Sequence, residues 1–238
     1  MCGRFVAFSS ADAIADRLAL QVISDGARML PPNWNVAPTN MIRIVKPDNE
    51  GNEILDVAKW GLLTPWAKGG TGIINARVET VAEKPAFAKA FTNRRCIVPV
   101  DGYYEWQKTH DGKQPWFITS SEPVEAVGSP GYALYFAGIY NGSDDNRNVA
   151  TLTVAILTAA AAPDVVAIHH RMPVSFQPRF FEQWLYGTPD DALALLPNAD
   201  QQFTKWEVSR EVNSVHNNGA QLIEPLLSEP EAQELTLF

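Results

Sequence analysis

Short apolar runs rich in β-branched and aromatic residues, closed off by Gly, Pro, Asn or Asp, recur through the chain and predict strands. They fall at Met41–Val45, Ile54–Ala58, Cys96–Val100, Tyr103–Trp106 and Trp116–Thr119, with longer ones at Leu134–Tyr140 and Val149–Leu157. Asp111-Gly112 sits between two of these runs and predicts a hairpin turn. Helical spacing appears first after Ser9-Ser10, where a serine oxygen can cap the free amides of a helix carrying Ile14 and Leu18. Further helices are predicted over Pro85–Phe91, Pro178–Leu185 and Asp190–Leu196, the first two opening on a proline suited to a first turn. Ser129-Pro130-Gly131 and the segment Gly142–Asn146 read as surface turns. Strands without regular β-α-β alternation define an α+β fold in a single domain, mostly antiparallel. The domain is expected over 1–223, with an acidic tail over 224–238.

Composition narrows the class. With 238 residues, 46% of them hydrophobic and seven Trp, the chain can bury a substantial core. No stretch has the length of a membrane span and no secretory leader is evident, so a cytoplasmic location is expected. Two cysteines, Cys2 and Cys96, exclude a disulfide framework. Cys96, inside an apolar run, is expected to be a buried and inert thiol. The four histidines and two cysteines show no metal spacing, so neither metal nor other cofactor is expected. A net charge of −8 argues against a non-specific polyanion binder and leaves room only for a local basic groove.

The most informative residue is Cys2. Gly3 follows it, and Met1 precedes a side chain small enough for routine removal of the initiator. Cys2 then carries a thiol and an α-amine on adjacent carbons, with ordinary pKa values of about 8.5 and about 7.7–8.0. Such a 1,2-aminothiol condenses with an aldehyde to a Schiff base and closes to a thiazolidine; alternatively the thiol attacks an amide carbonyl with the amine as base. Asn75, Arg77 and Glu79 share a parity, so an extended segment would put all three on one face, as a half-exposed strand or as a recognition surface. Glu105 stands between Tyr104 and Trp106, either desolvated for proton transfer or turned to water. His169 and His170, if extended, face opposite ways. Trp60 and Trp66 flank a Gly/Pro-punctuated turn and either stack on a base or fill the core.

The order of these pieces resembles the SOS response-associated peptidase (SRAP) family, whose members are abasic-site processing proteins that crosslink to DNA. The resemblance is carried by Cys2-Gly3-Arg4-Phe5, Asn35-Val36-Ala37-Pro38, Trp60-Gly61, Asn75-Ala76-Arg77-Val78-Glu79-Thr80, Cys96-Ile97-Val98-Pro99, Gly102-Tyr103-Tyr104-Glu105-Trp106 and Ile168-His169-His170-Arg171-Met172-Pro173. It runs from Cys2 to about Ile223. It implies a barrel-like β core with peripheral helices, and a monomer whose partner is single-stranded DNA containing abasic sites. It further implies that Cys2 captures the aldehyde of the ring-opened abasic sugar as a thiazolidine. Catalytic roles would fall to Cys2, Asn75, Glu105 and His169, and DNA contacts to Arg4, Trp66, Arg77, Thr158 and Arg171. Strand cleavage by β-elimination and self-removal of residues before Cys2 are further activities the resemblance suggests; with Met1 alone to remove, an aminopeptidase suffices.

Two other classes fit parts of the sequence. Glutamine-hydrolysing amidotransferases with an N-terminal nucleophile also begin Met-Cys-Gly, but usually continue with an aliphatic residue where this chain has Arg4. A non-catalytic single-strand-binding module would use Trp66 and the arginines alone, and would hold intact and abasic strands equally.

Overall fold

The computed structural model describes residues 2–64, 66, 70–121, 124–126, 129–131, 133–142, 151–196 and 202–226. Of the expected tail only Glu224–Leu226 is among them, and Val149, where a strand was expected to begin, lies outside them.

The strands are β1 (Phe5–Ala7), β2 (Val22–Ile23), β3 (Asn33–Val36), β4 (Met41–Pro47), β5 (Glu53–Trp60), β6 (Asn75–Arg77), β7 (Arg95–Val100), β8 (Gly102–Thr109), β9 (Gly112–Ser120), β10 (Val124–Ala126), β11 (Ser129–Gly131), β12 (Leu134–Asn141), β13 (Thr153–Ala160), β14 (Arg171–Pro173) and β15 (Phe203–Glu207). The helices are α1 (Ala11–Leu18), α2 (Asp25–Met29), α3 (Ala88–Asn93), α4 (Phe181–Tyr186) and α5 (Pro189–Leu195). One sheet runs β15-β9-β8-β1-β3 and the other β14-β13-β12-β7-β4-β5-β2, with β6 paired to β13. Most neighbours are antiparallel; β5 and β6 both meet β13 in parallel. The β5–β13 pairing closes β13-β12-β7-β4-β5 into a ring, which gives the α+β fold its rounded core.

Alternation sets the layers. On β7, Cys96 and Val98 face the sheet of β8, whereas Ile97 joins the side-chain cluster packed on α1, α3, α4 and α5. Between the sheets lie Phe5, Ile44, Trp60, Tyr103, Phe136 and Ile156. The outer face of β8 and β9 is covered too: Tyr104 and Phe117 pack with Val208 and Val212. Cys96 is buried as expected, and burial pushes its thiol pKa up.

Sequence expectation and structure part at several elements; the helix expected over Pro178–Leu185, for one, opens as a 3₁₀ turn at Pro178–Phe180 before α4. The helix expected from Pro85 begins at Ala88, because the Lys84 carbonyl first closes a turn onto the Phe87 amide at 2.8 Å. Ser129–Gly131 is a strand, paired with β10, since a Pro on a ribbon edge leaves no ladder bond unmade. The parity of Asn75, Arg77 and Glu79 holds only to Arg77; a 3₁₀ turn over Val78–Thr80 carries Glu79 off the strand. The capped helix after Ser10 forms as read, with Ser10 accepting the Ala13 amide at 3.1 Å; α5, expected over Asp190–Leu196, starts at Pro189 behind a capping box of Thr188 and Asp191. Among the described residues no helix is long and apolar enough to cross a membrane.

Candidate functional site

β1 enters beside β8, with Phe5 opposite Tyr103 and the Arg4 carbonyl accepting the Tyr104 amide at 3.0 Å. The end of β1 is latched by buried Asp101, whose Oδ2 accepts the amides of Phe8 at 2.6 Å and Ser9 at 2.9 Å. Those contacts hold the N-terminal segment in place, and Cys2 is fully buried. Its Sγ lies 3.9 Å from the Arg4 carbonyl. Burial, and then the Glu105 carboxylate, push the thiol pKa up, so the sulfur carries its proton at neutral pH.

Asn75 opens β6, which is held on one side by β13 and from before by the Trp60 Nε1 bond to the Ile74 carbonyl at 3.0 Å. Its Nδ2 donates to the Cys2 carbonyl at 2.7 Å. Its Oδ1 is buried and has no hydrogen-bond partner among the described residues. An acceptor left open beside Cys2 is costly unless something donates to it.

Glu105 is on the β8 face that looks between the sheets and is 3% exposed. Its Oε1 lies 3.8 Å from Nδ1 of His169. The two histidines do not face opposite ways: the chain turns through residues 163–168, and the rings of His169 and His170 lie side by side, centroids 4.4 Å apart. His170 is exposed, and its neighbour His169 foremost lowers its pKa. Nδ1 of His169 is 3.0 Å from both the amide nitrogen and the carbonyl oxygen of Arg171. A groove of about 490 Å³ leads from Glu105 and His169 past Trp106, Gln107 and Ile168 to Lys108 and Lys113.

Four expected site residues thus converge: Cys2, Asn75, Glu105 and His169. The expected DNA contacts divide. Arg77 and Trp66 are exposed, Trp66 by 61%. Arg4 is half-buried and donates to Asn35 Oδ1 at 2.6 Å and to the Val212 carbonyl at 2.9 Å. Arg171 is buried and pairs with both carboxylate oxygens of Glu79 and with the Thr158 carbonyl. Thr158 is buried opposite Arg77 on β13, its hydroxyl 3.4 Å from Arg171.

One site residue escapes the sequence reading. The Tyr103 hydroxyl is fully buried and has no hydrogen-bond partner among the described residues; burial first, then Cys2 and Glu105, raise its pKa well above the ordinary value. Its position two residues before Glu105 on one strand face was the available signal. Glu79, expected on one face with Asn75 and Arg77, is drawn instead to Arg171 by a pairing that no local pattern shows.

Cys2 thus lies between Asn75 and the pair of Glu105 and His169. The chain belongs to the SOS response associated peptidase (SRAP) family, which it matches over residues 1–215. It is 34% identical to the abasic site processing protein YoaM of Bacillus subtilis over 232 residues, spanning 94% of this chain and 98% of that one. It is 32% identical to the abasic site processing protein YedK of Escherichia coli over 239 residues, 95% and 100% of the two chains. A solved structure of a protein from Bacteroides thetaiotaomicron shares the fold, with a TM-score of 0.76 at 22% identity over 95% of this chain and 100% of that one.

Proposed function

We propose that this protein processes abasic sites in single-stranded DNA by trapping the ring-opened sugar as a thiazolidine on Cys2, after Met1 is removed. The observation that carries the reading is the convergence on Cys2 of an open acceptor, Asn75 Oδ1, and a buried carboxylate, Glu105, that is itself beside His169. The relatives YoaM and YedK are abasic site processing proteins, which supports the same reading.

The chemistry follows from which nucleophile is ready. With the thiol held protonated, the α-amine attacks first. His169 serves the proton transfer that opens the sugar hemiacetal to its aldehyde. The amine adds to C1′, the carbinolamine loses one water, and an imine forms, with Asn75 Oδ1 accepting from the nitrogen while it still bears hydrogen. The Cys2 sulfur then adds across the C=N bond. Its proton passes through Glu105 to the nitrogen, and the five-membered ring closes. The balance is one water lost, with no oxidant or reductant. Arg77 and Trp66, outside the pocket, take the flanking phosphate and base. Arg4, Thr158 and Arg171, engaged within the protein, build the wall.

Denaturing intact-mass spectrometry tests this, on the protein alone and after mixing with an oligonucleotide carrying one abasic site. Loss of Met1 and an adduct lighter than the sum of its parts by one water are expected. Processed Cys2 with no adduct, together with glutamine hydrolysis, would replace this reading by an amidohydrolase.

A further inference from the structure

Glu79 has no part in the chemistry above, yet it is bound into the site. The turn after β6 brings its carboxylate across β13, which separates β6 from β14, to meet the first residue of β14. Oε1 accepts from Arg171 Nη1 at 2.5 Å and Oε2 from Nη2 at 3.0 Å. A two-point carboxylate–guanidinium pair fixes orientation as well as charge. Nη2 also donates to the Thr158 carbonyl, so the guanidinium is anchored to β13 while being held from above. The Arg171 side chain is 11% exposed, and the Glu79 pKa is lowered, first by its bond to that arginine. The main chain of the same arginine supplies both groups at 3.0 Å from His169 Nδ1. β14 is only three residues long and lies at the end of its sheet; its start is held on one side alone, by the pairing of Arg171 with Ala160 and by the Ala161 amide on the His170 carbonyl at 3.1 Å.

We propose that Glu79 is a positioning residue for His169, acting through Arg171. Pinned by Glu79 and Thr158, Arg171 presents its amide and carbonyl at a fixed place, and these set the orientation of the imidazole toward Glu105. The charged and titratable groups around that ring are Glu105, His170 and Arg171, with Arg77 further out. The inference rests on the reading of His169 as the group that moves protons at the lesion.

The test is Glu79→Gln, which keeps size and removes charge, with Glu79→Asp as the conservative variant. Three quantities are read. One is the single-turnover rate of adduct formation at saturating abasic DNA, and another the affinity for an intact strand. The last is the ¹H–¹³C ring correlation of His169 in DNA-free protein, assigned with His169→Gln. Glu79→Gln is expected to slow adduct formation about tenfold, the scale of one charge-assisted bond. Affinity for the intact strand stays within about twofold, because the effect is on the reacting pair and not on phosphate contacts. The His169 correlation moves, and Glu79→Asp recovers part of both changes. A wild-type rate with an unmoved correlation overturns the proposal. If the wild-type protein itself forms no adduct, the functional reading has failed, and the DNA-free correlation alone still decides whether Glu79 positions His169. Should Glu79→Gln melt below the assay temperature, Glu79→Asp carries the same three measurements.

Discussion

Asn75→Ala separates stability from reactivity, because the two ends of this side chain stand on opposite sides of the balance. Nδ2 makes a 2.7 Å bond to the Cys2 carbonyl, and Oδ1 is buried without a partner among the described residues. Loss of the bond costs about 0.5–1.5 kcal/mol, and the abandoned carbonyl adds to that. Removing the unsatisfied acceptor returns about 1–3 kcal/mol. The net lies within about 2 kcal/mol of zero, and at about 2–4 °C per kcal/mol for a chain of this size the melting temperature moves by only a few degrees. Reactivity has no such compensation. If Oδ1 is open in order to hold the α-amine and the carbinolamine, its loss removes a bond to a charged group, about 1.5–3 kcal/mol, and slows adduct formation about 10- to 100-fold.

The assay pairs differential scanning fluorimetry with a denaturing-gel time course at saturating abasic oligonucleotide. Asn75→Asp is the informative companion. It has nearly the same shape but puts a carboxylate oxygen against the Cys2 carbonyl, so it destabilises more than alanine does. Two results refute the reasoning: an alanine variant that forms adduct at the wild-type rate, or one whose melting temperature drops by more than about 10 °C. The latter would make Asn75 a scaffold residue with both ends satisfied.

The remaining predictions concern the loop, the thiols and the strand contacts. Gly61→Ala loses about 2–4 kcal/mol of stability, because at φ +134° its Cβ would lie 1.9 Å from the Thr71 carbonyl oxygen; urea denaturation checks it, and a midpoint unchanged from wild type refutes it. The folded protein alkylates with iodoacetamide at pH 8 far more slowly than the denatured chain, since burial opposes both thiolates. The linked stability has a definite sign. Both thiols have pKa values raised above the ordinary thiol value, so their contribution is intact below about pH 8.5 and is lost as pH rises past it. Tyr103 and Tyr104, also raised, add in the same direction above their ordinary 10.0. Urea midpoints at pH 8 and pH 10 read the difference, and equal midpoints would contradict it. Arg77→Ala weakens binding to intact and abasic strands alike and lowers the salt slope by about one; fluorescence anisotropy at several salt concentrations reads both.

The strands were legible because short runs rich in β-branched and aromatic residues, bounded by turn formers, mark them, and β4, β5, β8 and β9 were each foreseen from such runs. Alternation, on the other hand, fails for Glu105. With Tyr104 next to it, alternation suggests one residue in and the other out, yet both are buried, since the outer face of β8 is covered by the segment carrying Val208 and Val212. Only tertiary structure, from a part of the chain a hundred residues later, supplies that cover. The histidines were misread in orientation because a turn through 163–168 replaces the extended backbone that the argument assumed. Glu79 was read by strand parity, and the 3₁₀ turn that breaks the parity is what lets it reach Arg171. Cys2, by contrast, was fully legible, because a 1,2-aminothiol needs no neighbours to be recognised.

The arginines explain how an acidic protein can serve a DNA lesion. Read from sequence, an arginine beside a motif suggests a phosphate contact, but in the structure most of those guanidinium donors are turned inward. Arg43 donates to the carbonyls of Ala27, Ser9 and Leu30, and Arg95 to those of Trp184, Phe91, Thr92 and Gly187. Arg4 and Arg171 are engaged likewise. Each donates to backbone carbonyl oxygens within the fold, which is a structural role for a charge. The positive potential offered to a strand is therefore smaller than the count of 19 Lys and Arg suggests, against 27 Asp and Glu. Binding through few phosphate contacts is weak, and its salt slope, set by the number of those contacts, is shallow. On the proposed chemistry persistence does not depend on those contacts: affinity would have only to bring the sugar to Cys2, and the ring would then hold it. Selectivity would follow from the same division, since the fully buried Cys2 would answer an aldehyde carried into the pocket, and an intact nucleotide presents none.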